Sequence, residues 1–203
     1  LEDGAGLSEV FPRITSPVLA MSSYLVVLLV AGAGSFFELA YDRRYAQAGI
    51  LLPVLAAGVW FSAVEAMYGA AFLATGRPQW VALASVIKVV SFTVLLWLAM
   101  RSGWGLTVAA AMVSASEMTR AVCSQYLGRK LGLRNLRVEL SMLATTLLVS
   151  CAGWLLVTRV PWVAGQHPFV RLVILGMVVT LLFAPVLWKT GRPLLGNWAS
   201  RSQ

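Results

Sequence analysis

The chain has 203 residues, of which 59% are hydrophobic and 12% charged, with a formal net charge of +8. Soluble domains carry about 45–50% apolar and about 25% charged residues, so a water-soluble globule of this composition would lack the polar surface to cover itself. The basic residues fall between apolar runs and form no stripe with interleaved aromatics, which argues against a nucleic-acid partner and for membrane topology signals.

An α-helix needs about 20 mostly apolar residues to cross the hydrocarbon core. Six segments have that length, at about 16–40, 47–75, 79–100, 104–127, 140–158 and 168–188. Backbone groups left unpaired in lipid are costly, so helices are expected, and no alternating strands suggest a β-barrel. Short connections separate the segments: Tyr41–Tyr45 (YDRRY), Gly76-Arg77-Pro78, Arg101-Ser102-Gly103, the longer GRKLGLRNLR stretch from Gly128 to Arg137, and Val160–His167. Short loops make successive helices antiparallel. The expected fold is therefore an all-α integral membrane protein of about six transmembrane helices forming one domain.

With six crossings, Arg13, Arg77, Arg129, Lys130, Arg134, Arg137, Lys189, Arg192 and Arg201 share one side. Arg43, Arg44, Arg101, Arg159 and Arg171 share the other, a balance of nine against five. The positive-inside rule then places both termini in the cytoplasm. Trp80, Trp97, Trp104, Trp162 and Trp188 lie near segment ends, as an interfacial aromatic belt requires. Dense small residues at Ala31–Ser35, Ala56–Gly58 and Gly69–Ala71 allow close helix packing. Pro53 and Pro185 are candidate kinks.

Four charges fall inside the apolar segments: Glu65, Lys88, Glu117 and Arg120. Each costs at least about 2.5–3.5 kcal/mol near mid-bilayer, so such residues face a bundle interior or a water-filled cavity and find partners. Glu117 and Arg120, spaced i, i+3, are expected to pair on one helix face, and Glu65 and Lys88 to meet across neighbouring helices. Two uses are open. The charges line a polar cavity for a charged substrate or coupling ion, or they are structural clasps. Glu38, Asp42, Arg43 and Arg44 read as a solvated interfacial loop. Cys123 and Cys151 lack metal or disulfide spacing, and His167 stands alone. No GxxxxGK[ST], GxSxG, HExxH or GxGxxG pattern occurs, so neither an enzyme nor a cofactor is expected.

FPRIT (Phe11–Thr15), YDRRYAQAG (Tyr41–Gly49), the run from Leu51 to Pro78 ending in Gly-Arg-Pro, GWGLTVAAAMVSASEMTRAV (Gly103–Val122) and the following GRKLGL come in a distinctive order. Over Phe11–Leu133 that order resembles the C-terminal half of Wzx-type polysaccharide flippases, in the multidrug/oligosaccharidyl-lipid/polysaccharide exporter superfamily. The last two helices match in hydropathy alone. The resemblance implies flipping of a polyprenyl-pyrophosphate-linked oligosaccharide across the bacterial inner membrane, for exopolysaccharide, O-antigen or capsule synthesis. It implies two pseudo-symmetric lobes around a cationic cavity with alternating access. Lys88 and Arg120 would contact pyrophosphate or acidic sugar, and Glu65 and Glu117 would neutralise them or couple to an ion.

The resemblance also implies partners: the lipid-linked oligosaccharide, membrane lipids, an N-terminal lobe absent from this chain, and other polysaccharide-assembly proteins. The start at Leu1 has no signal-peptide pattern and reads as the beginning of a piece of a longer protein. Competing expectations are an ion-coupled drug exporter of the same superfamily, a membrane polysaccharide polymerase or ligase subunit, and a purely structural subunit.

Overall fold

In a computed structural model, the backbone is described at residues 4–41, 45–133 and 135–199, together with the side chains of 10–41, 45, 47–133 and 135–190. The expected turn residues Asp42, Arg43 and Arg44, and the charges Arg134, Arg192 and Arg201, lie outside these side chains. Six long helices and one short turn of helix follow in order: α1 (Gly4–Ala40), α2 (Ala46–Ala74), α3 (Pro78–Arg101), α4 (Leu106–Arg129), α5 (Leu136–Arg159), α6 (Pro161–Ala164) and α7 (Pro168–Ala199). The chain is an all-α, multi-pass membrane protein.

Three helices stop in the same way. At the ends of α2, α3 and α4, Gly76, Gly103 and Gly132 take φ of 69°, 67° and 77°, a left-handed conformation that costs a side-chain-bearing residue steric strain. The amides of Arg77, Trp104 and Leu133 then reach back to the carbonyls of Phe72, Ala99 and Gly128 at 2.8, 3.2 and 3.1 Å. This satisfies end carbonyls that lipid or interface could not. Pro78 sits in the first turn of α3, where a missing N–H is harmless.

Five of the long helices are long and apolar enough to span a bilayer: the Val10–Ala40, Gln47–Ala74, Pro78–Arg101, Leu136–Arg159 and Pro168–Thr190 stretches. The sixth long helix, α4, does not meet that measure by composition. At 24 residues it matches α3 and α5 in length, but Ser114, Ser116, Glu117, Thr119, Arg120, Ser124 and Gln125 make it too polar to qualify on its own. It is sheltered instead. Ser114, Ser116 and Ser124 are buried, and α4 lies parallel to α2, with Val54 beside Ser114 and Tyr68 beside Gly128. Helix limits shift too. α1 begins three turns before residue 16, carrying Pro12 and Pro17 within it, and α5 begins at Leu136, four residues earlier than its apolar run.

The helices form two groups of three: α1, α5 and α7 on one side, α2, α3 and α4 on the other, joined along α1 and α2. Small residues set the close approaches. A methyl on Gly58 would meet the Ser114 Cα at 3.1 Å, and one on Gly153 would meet Ala31 Cβ at 3.0 Å. Such contacts give membrane helices the packing that replaces a hydrophobic drive. In the joining seam the buried Trp60 donates its indole N–H to Ser23 at 3.0 Å. Phe11, Leu19, Trp60, Tyr68 and Phe72 fill one core, and Val27, Leu175, Val179 and Phe183 fill a second between α1 and α7. Tyr24 links α1 to Thr180 of α7 at 3.0 Å.

Candidate functional site

α4 carries its polar residues on a stripe. Glu117, Arg120 and Ser124 recur at i, i+3 and i+7, which puts them on one face of a 3.6-residue helix. α2 and α3 flank that face and supply the opposite charges. Lys88 of α3 pairs with Glu117, and Arg120 reaches Glu65 of α2 at 2.9 Å.

All four expected residues are therefore brought together, but with exchanged partners. Glu117 does not pair with Arg120 on its own helix, and Glu65 does not meet Lys88. An interhelical pair lets each long side chain extend away from its own backbone towards a carboxylate on the next helix. α2 and α3 each bring a charge to the polar face of α4, so each charge finds an opposite partner on a packed neighbour. The result is a charge ladder, α3–α4–α2, in which α4 supplies one acid and one base.

The ladder is sheltered unevenly. The Glu65 and Glu117 side chains are 7% and 13% exposed, Arg120 21% and Lys88 33%. The carboxylates sit inside and the cations open outward. Glu117 Oε2, Arg120 Nε and Ser124 Oγ are buried with no hydrogen-bond partner among the described residues. Buried polar atoms are normally paired, so this stripe retains donors and an acceptor for a polar group that enters beside it.

A second polar cluster, not anticipated from the sequence, lies where the two helix groups meet at one end of the bundle. Glu139, in the first turn of α5, is 1% exposed. Tyr68 Oη of α2 donates to its Oε1 and Gln125 Nε2 of α4 to its Oε2, each at 2.7 Å. Three helices from both groups thus converge on one carboxylate. Beside it opens a cavity of about 360 Å³ lined by Tyr68, Gln125, Arg129, Leu133, Asn135 and Leu136.

The sequence signals only that a helix starts near Glu139. An acidic residue four positions after Asn135, ahead of an apolar run, marks a helix start more than a loop. Glu139→Gln should retain the acceptor for Tyr68 and cost little, whereas Glu139→Leu should lower the unfolding free energy by about 2 kcal/mol, because the buried Tyr68 and part-buried Gln125 donors lose their acceptor. Thermal unfolding in detergent, followed by tryptophan fluorescence, checks this. Equal melting temperatures for both variants would remove Glu139 as the fastening point.

The remaining candidates stay apart from the ladder. Glu38, with the side chain 54% exposed, pairs with Arg171 of α7 at 3.0 Å, so part of the expected loop cluster is an interfacial ion pair between α1 and α7. Arg77 lies over Trp80 and Arg101 over Trp97, at 4.6 and 5.2 Å from the ring centres. Cys123 and Cys151 are free thiols, and no metal-binding group of His, Cys, Asp or Glu occurs among the described residues. No protein-family model matches the chain, and searches of curated proteins and of solved structures return no match.

Proposed function

We propose that this chain is a transport lobe that passes an anionic, lipid-linked oligosaccharide across the bacterial inner membrane by alternating access, with both termini cytoplasmic. The observation that carries the reading is the polar stripe of α4, whose Glu117, Arg120 and Ser124 keep buried atoms without partners among the described residues, beside two interhelical ion pairs. Cations that open outward while their carboxylates lie deeper suit a pyrophosphate, which would take Lys88 and Arg120 by charge-assisted hydrogen bonds. Glu65 and Glu117 hold those cations when no substrate is bound. The order of the motifs from Phe11 to Leu133 supports the polysaccharide branch of the superfamily.

A second reading has a specific observation in its favour. Each of the four charges has an opposite partner on a neighbouring helix, as a clasp would. Replacing a buried pair by apolar residues often leaves stability unchanged, so function separates the two readings. The test reconstitutes the protein in liposomes. Transfer of a fluorescent polyprenyl-pyrophosphate oligosaccharide is then read by outer-leaflet quenching. Native protein should flip the lipid, and Lys88→Met with Glu117→Met should abolish flipping at normal folded yield. Undiminished flipping in that double variant would assign the ladder to the clasp, and absence of flipping by the native protein would overturn the transport assignment.

A further inference from the structure

A groove of about 680 Å³ runs between α1, α5 and α7, outside the charge ladder and on the other helix group. Its size falls within the roughly 300–1,000 Å³ of small-ligand sites. Its chemistry is graded along the helix axes. Arg13 from the third turn of α1, Arg137 from the start of α5 and Lys189 from the end section of α7 line it and are its charged residues. All three are exposed. Deeper along the same helices the walls are Val138, Met142, Pro185 and Val186.

Most hydroxyls in this groove are already engaged. Ser16 donates to the Pro12 carbonyl at 2.7 Å, Thr145 to the Ser141 carbonyl at 2.9 Å and Thr190 to the Val186 carbonyl at 2.8 Å, so these three are spent on their own helices, which leaves the exposed Ser141 hydroxyl one turn along α5 from Arg137. What remains is three cations and the Ser141 hydroxyl above an apolar slot.

The cations are also uncommitted among the described residues. The four described carboxylates are Glu38, Glu65, Glu117 and Glu139, and they are engaged by Arg171, Arg120, Lys88, Tyr68 and Gln125. None of them reaches Arg13, Arg137 or Lys189. Three like charges from three helices, gathered at one opening, are relieved by an anion lying between them. In a membrane, the anion that brings its own apolar tail is a lipid. Basic pockets between transmembrane helices hold anionic head groups in this manner.

We propose that this groove is a binding site for an anionic diacyl phospholipid of the surrounding leaflet. Its phosphate is held by Arg13, Arg137 and Lys189, and one acyl chain lies along Met142, Pro185 and Val186. The lipid then ties α1, α5 and α7 together. The site is separate from the transport reading and stands or falls independently of it.

Native mass spectrometry and thermal unfolding of the purified chain in neutral detergent test the proposal, with phosphatidylglycerol, phosphatidylcholine and inorganic phosphate as probes. Phosphatidylglycerol should bind one equivalent and raise the melting temperature, with phosphatidylcholine and inorganic phosphate giving neither at equal concentration. In Arg137→Gln with Lys189→Gln, phosphatidylglycerol affinity should fall about tenfold or more, given the attraction each basic residue adds near an anionic surface. Arg77→Gln with Lys130→Gln removes the same charge at the same end but outside the groove, and should retain native affinity. Met142→Trp, which fills the slot and leaves the charges in place, should also weaken binding and serves if the double charge variant misfolds.

Equal binding of phosphatidylcholine, an equal effect of inorganic phosphate, or an equal loss in the control pair would each overturn the proposal. Preference for a polyprenyl phosphate over phosphatidylglycerol would overturn it too, by making the groove a substrate site.

Discussion

Arg120→Leu should unfold this protein more readily than any other single change in the charge ladder. It leaves Glu65, whose side chain is 7% exposed, without its 2.9 Å partner inside the bundle. Stranding one member of a buried pair costs about 3–5 kcal/mol, chiefly the penalty of an uncompensated buried charge. Because Arg120 is itself partly open to its surroundings, the lower end of that range is expected. Two companions sharpen the result. Glu65→Leu combined with Arg120→Leu removes both charges and should recover most of the loss. Glu65→Arg combined with Arg120→Glu should recover part of it by restoring the pair in reverse. Unfolding in a mixed-detergent titration, read by circular dichroism, gives the ordering. If the single variant is as stable as the native chain, the pair does not hold α2 to α4.

Gly128→Val is expected to be the most damaging substitution outside the ladder. Even the first carbon of a side chain at this position would stand 2.5 and 2.6 Å from Cε1 and Cδ1 of Tyr68. That ring is 2% exposed, packs on Phe11 with 5.1 Å between centres, and is tethered through its hydroxyl to Glu139. It cannot swing aside without giving up that bond. Overpacking costs about 1–3 kcal/mol, and a lost hydrogen bond to a buried carboxylate adds about 1.5–3 kcal/mol. A combined loss near 3–5 kcal/mol should appear as a large drop in melting temperature and in monodisperse yield. Tyr68→Leu placed in the Gly128→Val background should restore part of the yield, since the ring is what the new side chain strikes. No drop in Gly128→Val would mean that α2 and α4 part easily at this point.

These two positions also show what a linear reading captures. Apolar run length sets the helices because lipid leaves the backbone no other partners, and Gly76, Gly103 and Pro78 punctuate them by local stereochemistry alone. Both kinds of information are carried by neighbours in sequence. The charges at Glu65, Lys88, Glu117 and Arg120 are legible as a group for the same reason, since a charge within an apolar run is visible without a partner.

Their pairing is a different matter. Which carboxylate meets which cation depends on the rotation of each helix about its own axis, and that is set by contacts such as Gly58 against Ser114. The i, i+3 rule describes an isolated helix, and here α2 and α3 supply better partners. Glu139 escapes for a related reason. Polar residues at a segment boundary look solvated, and only Tyr68 and Gln125, 71 and 14 positions away, turn that boundary inward. α4 shows the converse. Its length suggests a spanning helix like the others, yet its polarity is tolerable because α2 and α3 cover it.

α3 sits at the far edge of the α2–α3–α4 group, with only 6% of its most apolar stretch buried within the protein. Ala84 and Ala99 are covered, while Val86, Val89, Val90, Val94 and Leu98 point outward. A helix in this position is constrained by solubility in its surroundings far more than by fit. Exchanges among valine, leucine, isoleucine and phenylalanine at the outward positions should be nearly neutral, whereas α2 tolerates few. Under drift, α3 would keep its hydropathy, its small inward residues and Lys88, and lose recognisable identity elsewhere. Across descendants of this protein its alignment would be anchored by three or four positions, with the rest preserved as composition and not as sequence.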